Sequence, residues 1–209
     1  MDIFILCLEL IGTAAFAVSG ALVGIGKRMD IFGVCILGLS TAVGGGIIRD
    51  VVLGITPPTA FTDPIYLIVA IIVSLLCFVP AVRRRFDPGH RVFDQILFIS
   101  DSAGLGIFTV CGARVAVEAG YSDNFFLVIF VAVLTGVGGG VLRDIFAGDR
   151  PMIFVKHVYA CASLCGAVIF TICMKTVGQS IGMIAGFIAV TVIRILARRF
   201  LWSLPKPRG

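Results

Sequence analysis

Two segments of the chain place an arginine beside an aspartate shortly after three consecutive glycines. Gly44, Gly45 and Gly46 precede Arg49 and Asp50, and Gly138, Gly139 and Gly140 precede Arg143 and Asp144. Both sit in long apolar runs, where a charge at the centre of a spanning helix costs roughly 2.5–3.5 kcal/mol. Such residues face a bundle interior, find partners and mark a path for ions or polar solutes. Each glycine weakens a helix by about 1 kcal/mol relative to alanine, so the triplets predict helices broken or bent at 44–46 and 138–140. A break would free carbonyls that suit cations and amides that suit anions, provided it is buried or faces water. The alternative is plainer: the glycines allow a close helix crossing, and each Arg-Asp pair is a static internal salt bridge.

The two segments are copies. Gly44-Gly45-Gly46-Ile47-Ile48-Arg49-Asp50-Val51-Val52-Leu53-Gly54 recurs as Gly138-Gly139-Gly140-Val141-Leu142-Arg143-Asp144-Ile145-Phe146-Ala147-Gly148. At this composition the match arises by chance on the order of once in a million registers. Upstream, Glu9, Gly12, Phe16, Val18, Gly20 and Ala21 parallel Asp101, Gly104, Phe108, Val110, Gly112 and Ala113. Glu9 and Asp101 are candidates for a pathway entrance or an interface. Phe16 and Phe108 suit a hydrophobic gate that closes by dewetting, or core packing. Thr41 and Thr135, three residues before the triplets, offer hydroxyls to a pore or back to their own helices.

The elements that must position these residues are membrane helices. The chain is 59% apolar and 14% charged, with mean hydropathy +1.10, against about 25% charged for a soluble domain. Crossing the hydrocarbon core takes about 20 apolar residues. Seven stretches qualify: roughly 3–25 (a retained span rather than a signal peptide), 31–54, 61–82, 92–117, 123–148, 152–174 and 180–200. The fold class is therefore all-α membrane, with seven transmembrane helices. Three helices per copy is an odd number, so the second copy enters the bilayer upside down, as two inverted three-helix repeats with broken helices 2 and 5. The expected division is 1–85 and 86–175 for the repeats, then 176–209 for a seventh helix and tail that pack or close the bundle.

Lys27, Arg28, Arg83, Arg84, Arg85, Arg91, Arg150, Arg198, Arg199, Lys206 and Arg208 fall on one side, and the other side holds little beyond Lys175, Glu118 and Asp123. The positive-inside rule puts the N-terminus outside and the C-terminus in the cytoplasm. Arg83, Arg84 and Arg85 suit anionic lipid headgroups. Lys156 and His157 fit a cytoplasmic face or a pore lining equally well. The net charge of +5 thus belongs to topology rather than to nucleic acid. The seven cysteines form no C-x-x-C pair or metal-ligand ladder, and Cys161 and Cys165, one helical turn apart, read as small packing residues. No nucleophile–base set, metal cluster or phosphate loop is present, so neither an enzyme nor a bound cofactor is expected.

The doubled Gly-Gly-Gly-x-x-Arg-Asp, with Phe16-Ala17-Val18-Ser19-Gly20-Ala21 upstream and seven spans, resembles the prokaryotic branch of the trimeric intracellular cation (TRIC) channel family, whose bacterial sequences are also labelled glycine-transporter-like. The resemblance runs from about residue 5 to 200. It implies a homotrimer with one pore per protomer, running between helices 2 and 5 and passing monovalent cations, potassium or sodium, with potassium preferred. Small residues on helices 1 and 4 (Gly12, Ala15, Ser19; Gly104, Gly112) would allow close packing in such a trimer. Eukaryotic members carry a lysine-containing motif where this chain reads Arg49-Asp50, and a longer lysine-rich tail. The difference points to a prokaryotic plasma membrane. The alternative function is a secondary transporter of a small zwitterion such as glycine, because inverted repeats with broken helices are also a transporter plan.

Overall fold

The structure is a computed structural model and describes residues 3–80, 91–155 and 158–202. Arg83, Arg84, Arg85, Lys156, His157, Lys206 and Arg208 lie outside the described residues. Seven long helices dominate: α1 (Ile3–Gly26), α2 (Ile31–Val52), α3 (Ile65–Phe78), α4 (Arg91–Ala116), α5 (Phe125–Phe146), α6 (Tyr159–Thr176) and α7 (Gln179–Arg199). Among the described residues there is no strand. Six of the helices are long and apolar enough to cross a membrane, and α3, at 14 residues, is shorter.

The single span expected over 61–82 is therefore divided. Thr59–Thr62 forms a separate turn, and α3 starts behind Pro64. Proline has no N–H to continue a helix upstream, and its φ of −70° suits a helix start, so the division falls there. The span expected over 152–174 divides in the same way, into a turn at Met152–Val155 and α6. α4 continues into a π-helical turn, Val117–Tyr121, with Gly120 at φ +94° near its end.

Helices α1, α2 and α3 pack on one another, as do α4, α5 and α6; α1 lies against α4, α2 against α5, and α7 against α6 and α4. The joins between the two groups are antiparallel. Gly12 meets Ile107 and Phe108 while Gly104 meets Phe16, and Gly45 meets the Thr135 carbonyl while Gly139 meets that of Thr41. Asp30 caps α2 by accepting from the Gly33 N–H (2.7 Å), and Asn124 caps α5 by accepting from the Leu127 N–H (3.1 Å). Side chains of this kind satisfy amides that the first helical turn leaves open.

The glycine triplets do not break their helices. α2 is continuous from Ile31 to Val52 and α5 from Phe125 to Phe146, with 44–46 and 138–140 inside them. The reason is the crossing itself. A Cβ on Gly45 would overlap the Thr135 carbonyl oxygen, and one on Gly139 would overlap that of Thr41. The two helices come together at the triplets and hold each other helical. The actual ends lie further on, at Gly54 and Gly148, both at φ +72°. There the Ile55 N–H donates to the Asp50 carbonyl and the Asp149 N–H to the Asp144 carbonyl, 2.8 Å each. A glycine in the left-handed region with this back-bond is a common helix terminator.

The small residues expected at a trimer contact are used inside the chain. Gly12 and Gly104 face the α1–α4 crossing, Gly112 packs on Thr135, and the Ser19 hydroxyl accepts from Arg143. Gly12 and Gly104 let α1 approach α4, and Gly112 and Ser19 are taken up by contacts with α5, so these four are buried inside the protomer, while Ala15 is partly exposed.

Candidate functional site

Each Arg-Asp pair ends its helix and closes on itself. Neighbours on a helix point about 100° apart, so each arginine wraps around to reach its aspartate. Arg49 Nε donates to Asp50 Oδ1 at 2.8 Å, and Arg143 Nε to Asp144 Oδ1 at 2.9 Å. The other carboxylate oxygens reach forward: Asp50 accepts the Thr59 N–H (2.8 Å) and Asp144 the Met152 N–H (2.7 Å). Both aspartates thereby fasten the chain re-entering after the helix, and both pairs serve local structure as well as charge.

Around each pair gathers a second acid. Glu9 accepts from the Tyr66 hydroxyl (2.5 Å) and from Arg114 Nη2 (3.2 Å). Asp101 accepts from the Tyr159 hydroxyl (3.3 Å), from Arg143 Nη1 (2.7 Å) and from Arg194 Nη2 (3.0 Å). The arrangements match in the acid, the tyrosine and the Arg-Asp pair, but differ in the other arginines, Arg114 of α4 beside Glu9 and Arg194 of α7 beside Asp101. Arg143, with no exposed surface, bridges Asp144 and Asp101, whereas Arg49 pairs with no carboxylate but Asp50 among the described residues.

The clusters occupy opposite ends of the bundle. Glu9, Arg49 and Tyr66 belong to the end where α1 begins and α2 finishes. Asp101 and Arg143 belong to the end where Lys27, after α1, pairs with Asp149, after α5 (2.5 Å). Each cluster borders a cavity. One, of about 60 Å³, is lined by Glu9, Thr13, Gly46, Arg49, Asp50, Tyr66 and Phe108 among others. The other, of about 570 Å³, has Asp101 and Arg194 in its wall, with Asp94, Phe98, Arg198 and Trp202. The two share no lining residue. Gly46 and Phe108 stand in the wall of the smaller cavity, and the Phe108 ring stacks on Phe16 with centroids 5.3 Å apart. The larger cavity is lined by α4, α7 and residues between 152 and 158, with Leu201 and Trp202. Both threonine hydroxyls turn back to their own helices, Thr41 to the Leu37 carbonyl and Thr135 to that of Val131, each at 2.6 Å. Among the described residues no group of acids, histidines or cysteines is arranged to hold a metal ion.

Sequence reading brought out Glu9, Asp101, both phenylalanines and both Arg-Asp pairs, but not Tyr66, Tyr159, Arg114 or Arg194. Signals for them existed. The tyrosines are 93 residues apart, close to the repeat offset, in a chain with three tyrosines. Arg114 and Arg194 lie inside apolar runs, which is itself a mark of a functional interior.

Three comparisons bear on this geometry. The family profile described as "Glycine transporter" matches residues 6–81 and 98–175. A UPF0126 membrane protein of Deinococcus radiodurans is 38% identical over 203 residues, covering 96% of this chain and 91% of its own length. Two solved structures share the fold. One, a prokaryotic TRIC channel crystallised in 0.5 M KCl, has TM-score 0.88 at 33% identity and is matched over 98% of this chain and all of its own. The other, a TRIC orthologue from Rhodobacter sphaeroides, has TM-score 0.85 at 32% identity, over 95% and 99%. The fold is thus that of cation-channel structures and not of an enzyme. An all-helical bundle with two matched acid–arginine clusters, the double profile match and near-complete superposition lead to one assignment: the chain belongs to the TRIC family of membrane proteins, whose bacterial sequences carry the glycine-transporter label.

Proposed function

We propose that the protein is a passive channel for monovalent cations, potassium preferred, with one pore per protomer passing between α2 and α5. The observation that carries this reading is the pair of cavities at opposite ends of the bundle, each bordered by one of two matched buried acids, Glu9 and Asp101. The shared fold with TRIC cation channels supports it. Two arginines in a cation path would repel potassium if they stood free. Here Arg49 lies 2.7 Å from Asp50, and Arg143 lies 2.8 Å from Asp144 and 2.7 Å from Asp101, so their charge is largely cancelled.

On this reading the separate cavities are the two mouths of a closed conduit, with the glycine crossing and the Phe16–Phe108 stack as the barrier. Opening requires α2 and α5 to bend or part at 44–46 and 138–140, where glycine weakens the helix. The antiparallel joins and matched caps support an inverted-repeat origin divided at 1–85 and 86–175, with 176–209 outside it. Lys27, Arg91, Arg150 and Arg198 at one end support a cytoplasmic C-terminus and an external N-terminus. Residence in a prokaryotic inner membrane follows the curated relatives, among them an inner membrane protein of Escherichia coli that is 36% identical. Assembly as a homotrimer follows the trimeric channels of like fold, and the Arg83, Arg84 and Arg85 run suits anionic lipid.

One observation favours a second reading. Cavities that do not connect also suit a transporter caught in one state, here for a small zwitterion such as glycine. Single-channel recording in planar bilayers separates the two. Unitary currents reversing near the potassium equilibrium potential are expected. Electrical silence together with saturable, ion-coupled glycine uptake would overturn the channel.

A further inference from the structure

α7 lies outside the duplicated sequence, yet it delivers a buried charge into one of the two matched clusters. Arg194 is 5% exposed. Its Nη2 lies 3.0 Å from Asp101 Oδ2 and its Nε 3.2 Å from the Ser102 hydroxyl. Its guanidinium stands over the Tyr159 ring at 4.7 Å and the Phe98 ring at 5.0 Å. One turn further along α7, Arg198 stands over the same Phe98 at 4.3 Å.

Asp101 does not need this partner to be satisfied. Arg143 already pairs with it at 2.7 Å and the Tyr159 hydroxyl donates to it. Glu9, its counterpart at the other end, manages with one arginine and one tyrosine. Burying a second guanidinium beside a carboxylate that is already paired is costly, so stability alone is a poor reason for it. Its position supplies another reason. Arg194 forms part of the wall of the 570 Å³ cavity, where Asp94 and Asp101 are the acids and Arg194 and Arg198 the bases among the described lining residues. Among those described residues the charges balance two against two; without Arg194 the acids would be in excess.

We propose that Arg194 is a specificity-determining residue of the conduction path, a fixed cation that masks Asp101 and limits how strongly this mouth concentrates cations. The proposal rests on the channel reading above. A charged vestibule raises the local counter-ion concentration, and the effect disappears once salt screens it. Replacing Arg194 with glutamine keeps the Arg143–Asp101 pair and removes the second positive charge beside Asp101.

The experiment is single-channel recording of the full-length wild type, Arg194→Gln and Arg194→Lys in symmetrical KCl. At about 0.01 M the Debye length is roughly 30 Å, and at about 1 M roughly 3 Å. Arg194→Gln should carry at least about a two-fold larger current than wild type at low salt, with altered rectification, and should converge on wild type at high salt. Arg194→Lys keeps the charge and should retain the wild-type ratio. A glutamine variant equal to wild type at low salt, or an excess that persists at about 1 M, overturns the mask. If Arg194→Gln does not fold, Arg198→Gln, at an exposed position on the same cavity, should shift the current in the same direction; an unchanged current there overturns the mask equally. A silent wild type overturns channel and mask together, whereas a conducting wild type with unresponsive variants overturns the mask alone.

Discussion

At the scale of single residues, the two copies of one motif have different surroundings. Arg143 is enclosed by Asp144, Asp101 and Ser19, while Arg49 leans on Asp50 at the edge of a small cavity. Removing one partner of a buried ion pair typically costs about 3–5 kcal/mol. Arg143→Ala should approach that loss and Arg49→Ala should fall clearly below it, as read by thermal unfolding in detergent; equal losses would mean that the two sites are equally sealed. The glycines make a sharper case. Gly139→Leu, placed against the Thr41 carbonyl, would overpack the α2–α5 crossing, which costs about 1–3 kcal/mol. It is expected to abolish current while the protein still inserts, and undiminished current would exclude the crossing from the path.

At the scale of elements, the helix ends decide where the charges stand. α2 and α5 stop at Gly54 and Gly148 rather than at the triplets, so each aspartate sits in a last turn and can hold the returning chain. An alanine at φ +72° pays the left-handed penalty of about 1–2 kcal/mol. Gly54→Ala and Gly148→Ala should each lower stability by that amount. Because the two sites lie at opposite ends of the bundle, the double variant should be additive to within about 0.5 kcal/mol. A strongly non-additive result in denaturation experiments would show that the two ends are coupled. The existence of these helices was plain from hydropathy. The divisions at Pro64 and ahead of α6 were not, because an apolar run reads the same whether it holds one helix or a turn followed by a helix.

At the scale of the whole molecule, α1 and α2 meet α4 and α5 along antiparallel crossings lined by glycine, and α7 closes the larger cavity. If each protomer has its own pore, co-expressing wild type with Gly139→Leu chains should yield single assemblies with one, two or three equal conductance steps. All-or-none loss would point to a shared central pore instead.

By itself the sequence determined the membrane class, the duplication, the acids at 9 and 101 and the two Arg-Asp pairs. Hydropathy, composition and repeat spacing are local properties that need no knowledge of what touches what. Only the tertiary structure decided what those residues do to one another. Whether three glycines break a helix or seat it against its twin depends on the opposing carbonyl, here Thr135 or Thr41. Whether a buried acid stands free depends on arginines from distant helices, Arg114 for Glu9 and Arg194 for Asp101. Those partners lie 105 and 93 residues away along the chain, a separation that spacing arguments on one helix cannot bridge. The broken helices expected at 44–46 and 138–140 failed for the same reason. Propensity is a local preference of about 1 kcal/mol per glycine, and a close-packed crossing overrides it.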